Sequence, residues 1–183
     1  HPDTNNLETQ LKDTEVLLKS IIDFCYKKTC KCIWYWPNAD QGREDLIKLI
    51  TTYHEKYPHY LIKAINKDPF DFLRELAGSK FLVGNSSTGI RECSYIGIPV
   101  VNIGERQQYR ERSWNVVDCD PDYPKLMETF THQWNAKRYK RSYLFGHGES
   151  AKKITSVTKR LDLKLKGPLT YPNLYEYRDD HIG

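Results

Sequence analysis

"FLVGNSSTGIRECSYIGIPVVNI", residues 81–103, decides how this chain folds. Phe81-Leu82-Val83-Gly84 and Pro99-Val100-Val101-Asn102-Ile103 are short apolar runs of strand length. Thr88–Ile96, between them, has the spacing of a helix that packs Ile90, Cys93, Ser94 and Gly97 on a neighbour. A strand, helix and strand joined this tightly place the two strands parallel, with a right-handed crossover. The first junction is over-supplied. One capping residue starts a helix, yet Asn85, Ser86, Ser87, Thr88 and Gly89 all stand there.

The same alternation extends both ways. Cys32–Trp36 reads as a strand stopped by Pro37, residues 43–56 as a helix, and Tyr60–Ile65 as a strand. Pro69 suits the first position of a helix running to Ala77. A short strand is expected at Asn115–Asp118, with helices at 122–135 and 149–162. Ahead of all these, Leu7, Leu11, Leu18, Ile21, Ile22 and Cys25 follow a helical period, with Asn5 and Glu8 as a capping pair. The pattern predicts a doubly wound, Rossmann-like α/β domain with a parallel sheet covered on both faces. Such a sheet should open with a strand. Here a helix comes first, so the leading strand is expected upstream of His1. The opening His1-Pro2-Asp3-Thr4, without methionine, likewise reads as an excerpt of a longer polypeptide.

Composition narrows the function classes. The chain has 183 residues, 39% hydrophobic and 28% charged, enough for one domain with a full core and unlike a disordered segment. With 28 Lys and Arg against 24 Asp and Glu, the net charge of +4 is too small to imply nucleic acid but suits a small anion. Five cysteines without a C-x-x-C pair read as reduced thiols, neither a disulfide framework nor a zinc site. The six histidines lack metal spacing; His54, His59, His132 and His181 read as surface residues. No metal or redox cofactor is expected. Neither a membrane-length apolar run nor a signal peptide is present, and a cytoplasmic location is expected.

Ligands of such folds bind at the carboxyl ends of the strands. Those ends gather Asn38 and Asp40, then Asn66 to Asp68, then Asn85 to Gly89, then Gly104 to Gln108. Ser86, Ser87 and Thr88 sit where a helix start offers N–H groups and partial positive charge, which suits phosphate. A plain capped helix explains the same residues equally well. Glu92 falls on another helix face, where it could accept bonds from sugar hydroxyls. Arg106 and Arg110 are candidate phosphate forks. Arg43 and Arg112 read as ordinary surface charges. His147 is a candidate to line the cleft.

Several motifs together resemble the hydrolysing UDP-N-acetylglucosamine 2-epimerases. They are His1-Pro2 with Thr4, Pro37-Asn38-Ala39-Asp40 with Gly42, Pro69-Phe70, Gly84–Glu92, Gly97–Gln107 and Tyr143–Gly148. They occur in the family's order over most of residues 1–165. The resemblance implies one lobe of a GT-B arrangement, the carboxyl-terminal UDP-binding half, at residues 1–166, with a tail at 167–183. It implies loss of UDP by elimination, addition of water and release of the free 2-epimer, for synthesis of sialic-acid-like sugars. Ser86, Ser87 and Arg106 would hold the diphosphate and Glu92 the ribose. Phe70 would meet the uracil, and Asn38 and Asp40 the sugar or diphosphate. His1 would act as the catalytic histidine. Expected partners are the UDP-sugar, the absent amino-terminal half and a second copy of the chain, with neither nucleic acid nor membrane. A glycosyltransferase donor domain and a nucleotide-sugar sensor without catalysis stay open. One departure stands out: Tyr109 occupies a position where the family commonly has glycine.

Overall fold

In the computed structural model, the structure describes residues 7–37, 39 and 42–160. The chain divides into two compact units, His1–Phe145 and Gly146–Gly183. The expected boundary at 166 lies outside the described residues. The first unit runs α1 (Leu7–Lys28), β1 (Cys32–Tyr35), α2 (Arg43–Lys56), β2 (Leu61–Ala64), α3 (Pro69–Gly78), β3 (Leu82–Gly84), α4 (Ser87–Ile90), α5 (Glu92–Ile96), β4 (Val100–Ile103), β5 (Val116–Cys119) and α6 (Tyr123–Asn135). The described part of the second unit holds α7 (Ser150–Arg160), with every one of its residues exposed.

All strand pairing is parallel, as expected. Among the described residues it falls into two pieces, β1 with β2 and β3-β4-β5. Successive residues of β4 point to opposite faces. Val101 packs under Leu17, Ile21 and Phe24 of α1 and Leu126 and Phe130 of α6. Val100 faces the other way, into Leu76 of α3 and Cys93 and Ile98. Phe24 anchors the first layer by meeting Phe81, Phe130 and Trp134 edge-to-face at 5.6–5.9 Å. On β1 and β2, Leu18 and Ile22 of α1 join Leu46, Ile50 and Leu61. Hence α1 is apolar on two faces, because it lies over both sheet pieces. Leu11, expected in its core stripe, is 40% exposed.

The helix expected over Thr88–Ile96 is broken. Arg91, at φ −94° and ψ −70°, separates α4 from α5. The hydroxyl of Ser94 donates to the Arg91 carbonyl at 2.7 Å, a side-chain bond that competes with the helical ladder. The packing face is nevertheless the predicted one, with Ile90, Cys93 and Ser94 all at 1% exposure or less. Gly89 brings α4 close to the sheet, since a Cβ there would come within 2.9 Å of Val100 Cγ1.

The Asn5–Glu8 capping pair depends on Asn5, which lies outside the described residues. His54 is not a free surface histidine: its Nδ1 sits 2.7 Å from the Leu61 carbonyl oxygen. All five cysteines are free thiols, and burial pushes the Cys32 and Cys93 thiols up to about 12. Among the described residues, no helix is long and apolar enough to cross a membrane.

Glu75 of α3 accepts hydrogen bonds from Lys67 Nζ at 2.8–2.9 Å and from the Tyr35 hydroxyl, tying α3 to β1. The bond from Lys67, then that from Tyr35, hold its carboxyl below the ordinary range. A depressed carboxylate contributes stability that is present above its unfolded pKa and is lost as pH falls through its folded one. Acidification below about pH 4 should therefore erode stability more in the native protein than in Glu75→Gln. Denaturant midpoints measured for both across that range check this.

Candidate functional site

The carboxyl end of β3 turns at Asn85 into α4. Ser86 is the helix cap, its hydroxyl oxygen accepting from Thr88 N–H at 3.3 Å. Gly89 N–H donates to the Ser86 carbonyl at 3.1 Å. These bonds leave the N–H and hydroxyl of Ser87 as donors without a protein partner among the described residues. The bland and the functional readings thus divide between neighbours: Ser86 caps, and Ser87 is open to a ligand.

Arg106 comes to this turn from the loop after β4. Its Nη1 donates to the Asn85 carbonyl at 3.3 Å, and Gln107 Nε2 donates to the same oxygen at 2.9 Å. Gln107 is only 1% exposed, so its bond is made in the interior. Behind it, Arg112 Nη2 donates to the Gln107 carbonyl at 2.8 Å. Arg112 Nε pairs with Asp118 of β5 at 3.2 Å, and Asn102 of β4 donates to the same carboxylate at 2.6 Å. Arg112 is therefore a brace and not the surface charge expected from sequence. The brace ties the ends of β3, β4 and β5 together. Gln107 was not among the predicted site residues, although it follows Arg106 directly in the motif. A polar side chain beside a candidate phosphate ligand, just past a buried strand, was the signal.

The other predicted residues are more dispersed. Glu92 is exposed at the start of α5, displaced from α4 by the break at Arg91. Phe70 is 74% exposed in the first turn of α3, at the carboxyl end of β2; Asp68 caps that helix by accepting from Phe70 N–H at 2.9 Å. Arg110 is exposed. His147, in the second unit, pairs with Glu149 at 3.2 Å. His1, Asn38 and Asp40 lie outside the described residues. Among the described residues, no group of three or more His, Cys, Asp or Glu is placed to hold a metal.

Tyr109 is 97% exposed and has φ +64°, in the left-handed region that favours glycine. This is the position where the resembling family commonly has glycine. The turn needs the geometry, and here tyrosine bears the strain. Tyr109→Gly is expected to stabilise the protein by up to about 1 kcal/mol, because left-handed backbone costs a non-glycine residue about that much. A rise in denaturant midpoint at unchanged slope would show it.

Comparison with known proteins identifies the family. The family model described as UDP-N-acetylglucosamine 2-epimerase matches residues 1–159. The chain belongs to the UDP-N-acetylglucosamine 2-epimerase family. A Legionella pneumophila relative, UDP-N,N'-diacetylbacillosamine 2-epimerase (hydrolyzing), is 29% identical over 154 residues, covering 84% of this chain and 40% of its own length. The Campylobacter jejuni GDP/UDP-N,N'-diacetylbacillosamine 2-epimerase (hydrolyzing) is 30% identical over 120 residues, covering 66% of this chain and 30% of its own length. The solved structure of UDP-GlcNAc 2-epimerase from Methanocaldococcus jannaschii shares the fold, with a TM-score of 0.66 at 14% identity over 87% of this chain and 44% of that one. The chain of this epimerase family member thus spans about 30–44% of the length of the relatives it matches.

Proposed function

We propose that this chain is the UDP-binding lobe of a hydrolysing 2-epimerase acting on UDP-N-acetylglucosamine or a close UDP-2-acetamido sugar. The observation that carries this reading is the hydrogen bond from Arg106 to the Asn85 carbonyl, two residues ahead of Ser87 and shared with Gln107, in a member of this family. An arginine fork beside free N–H and hydroxyl donors is the equipment that a departing diphosphate needs. In the proposed reaction the C2 proton is removed and the C1–O bond breaks, and UDP leaves with the electron pair. Water then adds to C1 of the glycal while a proton returns to C2 on the other face. The sum is UDP-sugar plus water giving UDP plus the free 2-epimer, a precursor suited to sialic-acid-like sugars. This lobe binds UDP and stabilises its charge. Glu92 holds the ribose, Phe70 meets the uracil, and Asn38, Asp40 and His1 complete the sugar side. The groups that move the C2 proton belong to the other lobe.

The full-length polypeptide, given UDP-N-acetylglucosamine in deuterated water without an acceptor, should release UDP and free 2-epimer carrying deuterium at C2. Product still attached to UDP, or no turnover until an acceptor is added, would overturn the reading. Ser87→Ala and Glu92→Ala should each weaken UDP binding by about 3–10-fold, the worth of one hydrogen bond each. Unchanged calorimetric affinity in both would remove the site assignment.

A further inference from the structure

The loop after β4 is braced around one loose side chain. Gln108 N–H donates to the Glu105 carbonyl at 2.7 Å and Arg110 N–H to the Gln107 carbonyl at 3.3 Å, so two tight turns follow each other. Arg112 clamps the second turn by donating to the Gln107 and Arg110 carbonyls at its two ends. The Gln107 side chain pins the same turn to the Asn85 carbonyl at 2.9 Å. Tyr109 takes the third position of that turn at φ +64°, where glycine is the ordinary choice.

The tyrosine ring takes no part in this bracing. It is 97% exposed, and no other large hydrophobic among the described residues exceeds the 74% of Phe70. Thr29 is the other non-glycine residue there with positive φ, and its conformation has a use within the fold. It lets the N–H groups of Thr29 and Cys30 take up the Tyr26 and Cys25 carbonyls, at 3.3 and 3.0 Å, at the end of α1. No such use accounts for placing a tyrosine at 109. Glycine makes the same turn without strain. Strain kept beneath a bare aromatic ring points to a contact outside the folded lobe.

Chain geometry limits what that contact is. Three residues of chain span at most about 10 Å, so Tyr109 stays close to Arg106. Under the proposed function Arg106 faces the diphosphate. A nucleotide-sugar carries its base on one side of the diphosphate and its sugar on the other. The base is given to Phe70, which follows β2 in the other sheet piece. A ring on the Arg106 loop is left with the sugar. We propose that Tyr109 is a sugar-recognition residue, laying its ring on the apolar C–H face of the pyranose in the bound UDP-sugar. This rests on the reading of the lobe as a UDP-sugar site. Tyrosine suits the task, because it offers a large amphipathic surface while only two side-chain torsions are fixed. It also explains why the strain is kept: Tyr109→Gly gains stability and gives up the ring.

Calorimetry on the full-length polypeptide tests this with two probes. One is UDP. The other is a phosphonate analogue of UDP-N-acetylglucosamine with CH2 in place of the oxygen on C1, so that UDP cannot leave. Tyr109→Asn removes the ring yet keeps the turn, since asparagine tolerates left-handed backbone. Tyr109→Asn and Tyr109→Gly should each weaken the analogue about 5–20-fold, the worth of roughly 40–70 Å² of ring surface taken from water, and leave UDP within about twofold. Tyr109→Phe should hold the analogue within about threefold of the native protein. Equal losses for both probes, or no loss for either, would overturn the assignment while UDP still binds. So would a lower melting temperature of ligand-free Tyr109→Gly, which means that the ring packs on the rest of the polypeptide. Failure of the native protein to bind UDP is a separate result: it removes the site reading itself, and this assignment with it.

Discussion

Under the proposed function, Arg106→Ala in the full-length protein is expected to lower kcat/KM for the UDP-sugar about a hundredfold to a thousandfold, the usual cost of losing a donor that faces developing charge. The fold should survive. Arg106 shares the Asn85 carbonyl with Gln107, whose shorter, buried bond remains. Tm should therefore move by no more than a few degrees, about what one partly exposed hydrogen bond is worth. Arg106→Lys, with the charge but without the fork, should recover only part of the loss. The check is a pair of measurements on the same preparations, steady-state kinetics and thermal melting. A fall of less than about threefold with normal melting would mean that the diphosphate is neutralised elsewhere.

Gly97→Ala should have the largest effect on stability, about 3–5 kcal/mol, which is the range of severe single substitutions. Two costs add. Gly97 ends α5 at φ +81°, where a side chain is strained. An added Cβ would also lie 2.2 Å from the Tyr139 carbonyl oxygen, and backbone cannot move aside as a side-chain tip can. The same contact holds the Tyr139 N–H to the Gly97 carbonyl at 2.9 Å, so relief of the clash pulls that bond apart. Gly78 is the control: a Cβ there meets nothing within 4 Å. Gly78→Ala should leave stability unchanged or slightly raised. Denaturant midpoints at equal slope separate the two variants. Equal effects would show that the Gly97–Tyr139 contact yields easily.

Local rules made much of the fold legible. Runs of four to six residues marked β1 to β5 to within about a residue or two, as expected where a short run is bounded by proline, glycine or polar turns. The Asp68-Pro69 start of α3 was legible for the same reason, since proline lacks only an N–H that a helix start leaves free. The break at Arg91 was not, because it depends on a hydroxyl choosing a carbonyl within its own turn. Nor was the interior role of Gln133, which is fully buried and donates to the Val100 and Asn115 carbonyls at 2.9 and 3.3 Å. A glutamine in a helix pattern looks like a surface residue until the strand carbonyls it must satisfy are known.

The candidate site divides along the same line. Residue type and order alone determined that this is a parallel α/β domain with polar strand ends, because periodicity and turn chemistry act over a few residues; that Asn85–Glu92 and Arg106 resemble one family's motif is a likeness of wording, which local physics does not supply. Only the tertiary structure decided that Ser86 is spent on capping while Ser87 is open, that Gln107 and Arg112 brace the turn, and that Glu92 starts a separate helix. The brace depends on which donors reach the Asn85 and Gln107 carbonyls across 21, 22 and 5 residues of chain, and the cap and the helix break on which of several nearby groups each hydroxyl meets. The bonds to Asn85 are set by how strands and helices pack, and short-range sequence pattern carries no record of them.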